Sequence, residues 1–469
     1  MSSKKVPIVA IVGRANVGKS SLFNSVLRRR EAVVAMEPGT TRDSITAKAS
    51  HKDHNFWLVD TAGLKTAEDE FELTIQEQIK QAADSADLIL VVVEATPQIT
   101  EEDRRVATMA LKSRKPVGLI INKVDQAHRL NLDHFERLGI KPIIYTSATQ
   151  NDGIHEMLEF VTSNLPKATI TEDDDRIRLA ILGRPNVGKS ALFNALGKKQ
   201  QAIVADRAGT TRDVNRAVIK YQKREIELLD TAGIRRSGKI EVGIEKFSVL
   251  RTLGAIEESD ICVLVLDVND LESKIDQKIG GLIKEAGKGL IIAVSKWDSF
   301  EEKDAFSRDT VAARIRREFE FIPWAPLIFT SSKEDQNISK IFELASEIAE
   351  VRTTKITTSK LNSWLEHQIH RHPPAGLKNR HPKLNYMTQI TDEKTPTFKL
   401  FGAHTKLLHW SYKRFLEKEL RNEFGFAGTA INMSYLEKHV DRKKADPYSW
   451  KNRLRPEQVP NFKIKKESK

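Results

Sequence analysis

The sequence predicts an α/β protein built as two tandem domains, each a parallel sheet with helices on both faces. A smaller α+β domain and a basic tail follow. Three observations predict this. The segment from Gly13 to Asp43 recurs without a gap from Gly183 to Asp213, with 18 identities in 31 positions. In each copy, short runs rich in β-branched residues alternate with stretches of helical periodicity, the pattern of strand–helix–strand units. Near Arg352 that alternation stops and positive charge accumulates. Residues 353–469 hold 24 basic and 11 acidic residues, so this last quarter accounts for the whole net charge of +12.

The first copy begins with a strand at 6–12, apolar throughout and therefore buried on both faces. A helix at 19–27 follows. Strands at 56–59, 88–93, 117–121 and 143–145 come next, with helices at 73–83 and 101–111 among them. The second copy repeats the strands at 177–182, 226–229, 261–266, 290–294 and 327–329. The copies span 5–165 and 176–352, separated by a linker at 166–175 that carries Glu172-Asp173-Asp174-Asp175. The third domain, 353–441, reads as a helix at 359–370, strands at 384–390 and 397–400, a long helix at 407–424 and a strand at 430–433. Trp410, Tyr412 and Phe415 fall at helical spacing there and read as core. The tail, 442–469, holds 10 basic and 3 acidic residues and reads as extended until it meets a partner.

No apolar run approaches the ~20 residues needed to cross a bilayer. Residues 1–5 lead directly into the first strand, so the sequence predicts neither a membrane span nor a secretory signal, and a cytoplasmic location. The single cysteine, Cys262, lies in an apolar strand and reads as core, which excludes a disulfide framework or a cysteine-built metal site. The localised positive charge of the last quarter suits a polyanion; a solubilising tail is the alternative.

The chemistry sits in four short elements, each present twice. Gly13-Arg14-Ala15-Asn16-Val17-Gly18-Lys19-Ser20 and Gly183-Arg184-Pro185-Asn186-Val187-Gly188-Lys189-Ser190 follow a strand and open a helix, the context a phosphate-binding loop requires. The glycines let backbone N–H groups wrap a phosphate, and the helix N-terminus favours its charge. Lys19 and Lys189 are placed to neutralise β/γ oxygens, and the Ser20 and Ser190 hydroxyls to ligate Mg²⁺. Asp60-Thr61-Ala62-Gly63-Leu64 and Asp230-Thr231-Ala232-Gly233-Ile234 stand at strand ends. There a carboxylate holds Mg²⁺ through water, and the glycine frees an N–H for a γ-phosphate. Asn122-Lys123-Val124-Asp125 and Ser295-Lys296-Trp297-Asp298 also follow strands. Asp125 and Asp298 can accept two N–H bonds from a guanine edge, donors that adenine lacks. Thr146-Ser147-Ala148 and Ser331-Ser332 would close the pocket with backbone N–H groups toward the guanine oxygen.

Together these elements resemble a GTPase domain of the translation-factor class. Two such domains with a C-terminal α+β unit resemble the Der (EngA) family of bacterial double GTPases, over residues 5–440. The specific marks are Asp230-Thr231-Ala232-Gly233-Ile234-Arg235-Arg236 with Gly238-Lys239 and Gly243-Ile244-Glu245-Lys246, then Asn385-Tyr386, Thr388-Gln389 and Phe424-Gly425-Phe426 with Gly428-Thr429. The resemblance implies two P-loop GTPase domains, a KH-like third domain, GTP or GDP with Mg²⁺, and a role in maturation of the large ribosomal subunit and its RNA. It makes Thr41 and Thr211 the switch threonines that meet Mg²⁺ and γ-phosphate only in the triphosphate state. Otherwise a loop threonine is a turn residue. It also matches Asn16 and Asn186 to a loop asparagine associated with bound K⁺; a loop-stabilising side chain is the alternative. Leu64 and Ile234 stand where many Ras-like GTPases carry a glutamine that orients water. Slow intrinsic turnover, stimulated by potassium, is therefore expected.

Two further features qualify the resemblance. Ser295 stands where the family pattern has asparagine. The shorter side chain is expected to reach one partner and weaken the second site by about 0.5–1.5 kcal/mol. Gly425-Phe426-Ala427-Gly428 fits the letters of a KH loop but sits between a helix end and a strand, so Gly425 reads as a C-cap, with an RNA clamp the alternative. His367, His370 and His372 have no accompanying carboxylate cluster and read as amphipathic or RNA-facing rather than metal-binding. Trp450 among the basic residues of the tail suits ribosomal RNA. The composite expectation is a monomeric GTP-hydrolysing assembly factor, with no membrane or DNA partner, whose nucleotide state controls domain packing and ribosome binding. Its rivals are a nucleotide-locked ribosome-binding scaffold with little turnover and the GTPase subunit of an RNA-modifying complex. The lack of a modifying domain argues against the second.

Overall fold

A computed structural model describes residues 6–28, 46–52, 54–61, 79–80, 82, 84–127, 132–165, 176–199, 216–222, 224–230, 249–300, 306–375 and 380–437. The expected linker at 166–175, most of the helix at 73–83 and the tail lie outside them. The first unit runs β1 (Ile8–Val12), α1 (Lys19–Arg28), β2 (Thr46–His51), β3 (His54–Asp60), β4 (Leu88–Glu94), α2 (Glu101–Lys112), β5 (Val117–Asn122), β6 (Ile143–Thr146) and α3 (Ile154–Asn164). The sheet order is β2-β3-β1-β4-β5-β6. β1 is buried at every residue, because it pairs in parallel with both β3 and β4 and is covered on both faces.

The second unit repeats the plan with β7 (Ile177–Leu182), α4 (Lys189–Lys199), β8 (Arg216–Tyr221), β9 (Arg224–Asp230), α5 (Val249–Glu258), β10 (Ile261–Asp267), α6 (Lys274–Glu285), β11 (Gly289–Ser295), α7 (Ser307–Glu318), β12 (Leu327–Phe329) and α8 (Lys340–Thr353). Its order is β12-β11-β10-β7-β9-β8. Cys262 is fully buried in β10, and burial pushes its thiol up to about 11.

Neither sheet is purely parallel, which corrects the expectation. The edge strands β2 and β8 pair antiparallel with β3 and β9. Both escaped the sequence reading because Thr46–His51 and Arg216–Tyr221 lack a continuous apolar run; an edge strand needs only one buried face. Each hairpin turns through a left-handed residue, Lys52 at φ 45° or Gln222 at φ 44°.

The third unit comprises α9 (Thr358–Arg371), β13 (Lys383–Ile390), β14 (Thr397–Ala403), α10 (Trp410–Phe424) and β15 (Asn432–Glu437), with sheet order β13-β14-β15. The long helix starts three residues later than expected, because Leu408 is extended and His409 caps the N-terminus, its ring accepting from Ser411 N–H. The last strand likewise shifts to Asn432–Glu437. Trp410, expected in the core, is exposed in the first helical turn with Arg414 over its ring at 5.0 Å. Leu416 and Leu420 supply the buried face instead.

Two seams join the units. Ile79, Ala82 and Ala86 share one buried cluster with Val249, Leu253 and Ile256. These segments correspond at the 170-residue offset, so equivalent surfaces meet. Within the seam the Trp57 indole N–H donates to Glu257 Oε1 at 2.6 Å, and Val6 N–H donates to Oε2 at 3.3 Å. At the second seam Leu290 N–H donates to Gly428 O and Gly428 N–H to Trp324 O, both at 2.8 Å. Buried Arg352 donates to Gly287 O and Thr429 Oγ1, and Lys394 pairs with Asp260 at 3.1 Å. Gly425 caps α10, as expected, its N–H returning to Arg421 O. Gly428 must remain glycine: its φ is +70° and a Cβ there would lie 2.4 Å from Ile348. Within this loop Gly428 packs against the second unit and Phe426 enters the third unit's own core.

Candidate functional site

β1 ends at Val12, and the chain turns through Gly13–Gly18 into α1, whose first residue is Lys19. Lys19 Nζ donates to Gly13 O at 2.8 Å and Arg14 O at 2.5 Å. Burial holds its ammonium pKa below the usual lysine range, while the Asp60 carboxylate opposes that shift. Ser20 Oγ donates to Asp60 Oδ2 at 2.5 Å, because Ile11↔Asp60 pairing sets the end of β3 beside the loop. Two of the expected Mg²⁺ ligands therefore meet. Thr61 turns away and donates to Ile11 O at 2.8 Å. Gly18 has φ +93°, and a Cβ would lie 2.2 Å from Asn122 Nδ2, so the loop has no room for a side chain there.

Asn122, the last residue of β5, joins three segments. Its amide donates to Val17 O at 2.9 Å, and its Oδ1 accepts from Thr146 Oγ1 and Ala148 N–H, both at 3.2 Å. Lys123 takes a left-handed backbone, and its ammonium pairs with Glu94 at 2.8 Å. Asp125 accepts from Thr149 Oγ1 at 3.3 Å, and Ser147 Oγ lies 3.1 Å from the same hydroxyl. Val124 sits beside them in the same short helical turn.

In the second unit Lys189 Nζ donates to Arg184 O at 2.6 Å. Ser295 Oγ lies 2.5 Å from Val187 O and 2.9 Å from Leu266 O. One hydroxyl proton can serve only one carbonyl at a time, and neither acceptor belongs to the Ser331-Ser332 loop. Asp298 Oδ1 instead accepts from Ser331 Oγ at 2.6 Å. Lys296 repeats the left-handed backbone and pairs with Asp267 at 2.6 Å. Trp297 is buried, stacked on Phe300 at 5.2 Å, so within this segment its side chain serves the core.

Asn16 and Asn186 both have φ 65°. Asparagine tolerates that region better than most residues, which suits a loop-stabilising role. Thr41, Ala62, Gly63, Leu64, Thr211, Thr231, Ala232, Gly233 and Ile234 lie outside the described residues. So does the side chain of Asp230, whose backbone pairs with Ile181 at the end of β9.

The sequence reading missed a set of acidic partners. Arg14 and Arg184 turn away from their loops. Arg14 lies 2.9 Å from Glu94 and 3.4 Å from Asp103; Arg184 lies 2.6 Å from Asp270 and 3.1 Å from Asp276. Asp103 and Asp276 are both the third residue of the following helix and both are buried. Burial raises the Asp276 carboxyl to about 6 despite Arg184 beside it. Lys123 first, then Arg14, holds Glu94 below the usual carboxylate range. The available signal was the acid ending the strand in both copies, Glu94, which pairs with Arg14 and Lys123, and Asp267, which pairs with Lys296.

Comparison with known proteins gives a concordant result. The family described as "50S ribosome-binding GTPase" matches residues 8–123 and 178–296. The family described as "KH-domain-like of EngA bacterial GTPase enzymes, C-terminal" matches residues 355–435. A relative from Lachnospira eligens named GTPase Der is 41% identical over 91% of this chain and 97% of its own length. Another of that name, from Caldanaerobacter subterraneus, is 41% identical over 92% of this chain and 99% of its own. A solved G domain of the FeoB iron transporter of T. maritima is 25% identical, covering 34% of this chain and 98% of that one, with a TM-score of 0.26.

Proposed function

The chain belongs to the Der family of GTP-binding GTPases, and from that premise we propose a slow, potassium-stimulated GTP-hydrolysing factor in assembly of the large ribosomal subunit. It works as a cytoplasmic monomer, and nucleotide state governs how its units pack and bind ribosomal RNA. Among the described residues no helix is long and apolar enough to cross a membrane. The observation that carries the reading is the Ser20–Asp60 pair beside Lys19, with Asn122 tying the phosphate loop to the closing loop.

A hydroxyl and a carboxylate are hard oxygen donors and fit Mg²⁺. Ser20, Thr41 and Asp60 would hold it in the first site, and Ser190, Thr211 and Asp230 in the second. When bound, Mg²⁺ neutralises charge on the β/γ oxygens. The residues then do the rest. Lys19 and Lys189 exchange their loop carbonyls for phosphate oxygens, and N–H groups from Ala15 or Pro185 onward, proline itself excepted, wrap the phosphates. Gly63 and Gly233 offer N–H groups to the γ-phosphate. Asp125 and Asp298 select guanine, with Lys123 and Lys296 along the base and Ala148 and Ser332 N–H groups toward its oxygen. Catalysis is positioning and charge neutralisation for transfer to water. Leu64 and Ile234 cannot orient that water, so intrinsic turnover is slow; Asn16 and Asn186 would hold K⁺, which would supply the missing positive charge.

The test is phosphate release by Asp125→Asn and Asp298→Asn variants in KCl and in NaCl. The reading expects turnover in each, faster in KCl. Equal rates in the two salts leave Asn16 and Asn186 as turn residues, and turnover in neither variant leaves a nucleotide-locked scaffold.

A further inference from the structure

His155 and Glu159 stand one turn apart on α3 and share a helix face. That face meets His51, the last residue of β2. His51 Nε2 lies 3.0 Å from Glu159 Oε1, and His155 Nε2 lies 3.6 Å from the same oxygen. All three donor atoms fall within 4.8 Å of one another. The two imidazole rings meet edge to face with centroids 5.5 Å apart. His51 is buried at 4% exposure, Glu159 is half-buried and His155 is exposed. From this convergence we propose that His51, His155 and Glu159 bind a divalent transition-metal ion, Zn²⁺ by its donor chemistry.

A tetrahedral ion with ligands at ~2.0–2.1 Å sets its donors about 3.3 Å apart, and the two N···O separations bracket that value. Rotation of the exposed His155 ring closes the third edge. Two imidazoles and a carboxylate are a known zinc donor set that leaves a fourth position for water. A glutamate carboxylate is ionised at neutral pH. Lys52 Nζ contacts the same Oε1. Lys52 is exposed, so an arriving cation displaces it into water. Imidazole ligands select Zn²⁺, Co²⁺ or Ni²⁺ over Mg²⁺, which separates this site chemically from the phosphate loops. An ion here fastens the β2–β3 hairpin, whose second strand ends at Asp60, to the helix that follows the Ser147-Ala148 loop.

The full-length protein is saturated with Mg²⁺ and GDP, then titrated with Co²⁺ as a spectroscopic substitute for Zn²⁺. The wild type takes up one equivalent that His155→Ala and Glu159→Gln lack, with the ligand-field absorption of four-coordinate Co²⁺. Losing a direct ligand weakens uptake at least about 100-fold, because loss of even an outer partner commonly costs 10–100-fold. Lys52→Ala removes the competing ammonium and strengthens uptake. Equal GDP binding by all four proteins shows that the variants fold, and the result does not depend on GTP turnover. Co²⁺ uptake and absorption insensitive to His155→Ala and Glu159→Gln would overturn the assignment and leave an ion-pair network around Glu159.

Discussion

Asn122→Ser gives the first site the side chain that the second carries at Ser295. A serine retains the contact to the phosphate loop, as Ser295 does with Val187 O at 2.5 Å. It forfeits the two bonds that Asn122 Oδ1 accepts from Thr146 Oγ1 and Ala148 N–H, each at 3.2 Å. At about 0.5–1.5 kcal/mol each, the loss is about 1–3 kcal/mol. The released closing loop must then be ordered when guanine arrives, so GDP affinity falls about 5- to 150-fold. The assay is calorimetric titration of GDP into Asp298→Asn protein, in which only the first site binds, with and without Asn122→Ser. The reciprocal Ser295→Asn, in an Asp125→Asn background, tightens the second site. Room exists for it: a Cβ at Gly188 would lie 3.6 Å from Ser295 Oγ, against 2.2 Å between the equivalent Gly18 position and Asn122 Nδ2. Unchanged affinity in both exchanges would refute the reasoning, since the tether would then play no part in nucleotide binding.

Two further predictions concern the charged groups beneath the sites. Glu257→Ala removes the acceptor of the Trp57 indole, while the buried Lys288 ammonium, 3.9 Å from Glu257 Oε2, keeps its bonds to Glu257 O and Ser259 O. Leaving that buried indole N–H without an acceptor costs about 1–3 kcal/mol, so hydrogen exchange at the Trp57 indole accelerates; exchange at the wild-type rate counts against the seam. Burial pushes the Asp276 carboxyl up to about 6, against about 3.9 for an aspartate in an unfolded chain. As pH rises between these values the unfolded chain releases its proton first, so stability falls, by about 3 kcal/mol in all. Asp276→Asn flattens that slope in urea denaturation across the same range, and identical slopes in both proteins refute it.

The phosphate loops, the strand-end aspartates and the base-reading segments were legible because each is local: a few residues of fixed type at fixed spacing next to an apolar run. Ser295 was legible for the same reason, as one letter against a pattern. β2 and β8 were not, since an edge strand with one buried face writes no continuous apolar signal. Nor were the partners of Arg14 and Arg184, because Asp103 and Asp276 are defined by the third position of a helix more than eighty residues away. Trp57 and Glu257 meet across 200 residues, and nothing in either neighbourhood announces the other. The Gly425–Gly428 loop shows the opposite case. Its letters suggested two roles, and the chain order between a helix end and a strand favoured the C-cap, which Gly425 forms.

The central claim is that nucleotide state in the two GTPase domains controls engagement of the large ribosomal subunit. Co-sedimentation of the full-length protein with large subunits, in GDP and in a non-hydrolysable GTP analogue at low and moderate salt, tests it directly. The account predicts binding in the triphosphate state that weakens as salt rises, because phosphate contacts made by the basic last quarter of the chain would release counterions. Binding indifferent to nucleotide, or none in either state, would contradict it.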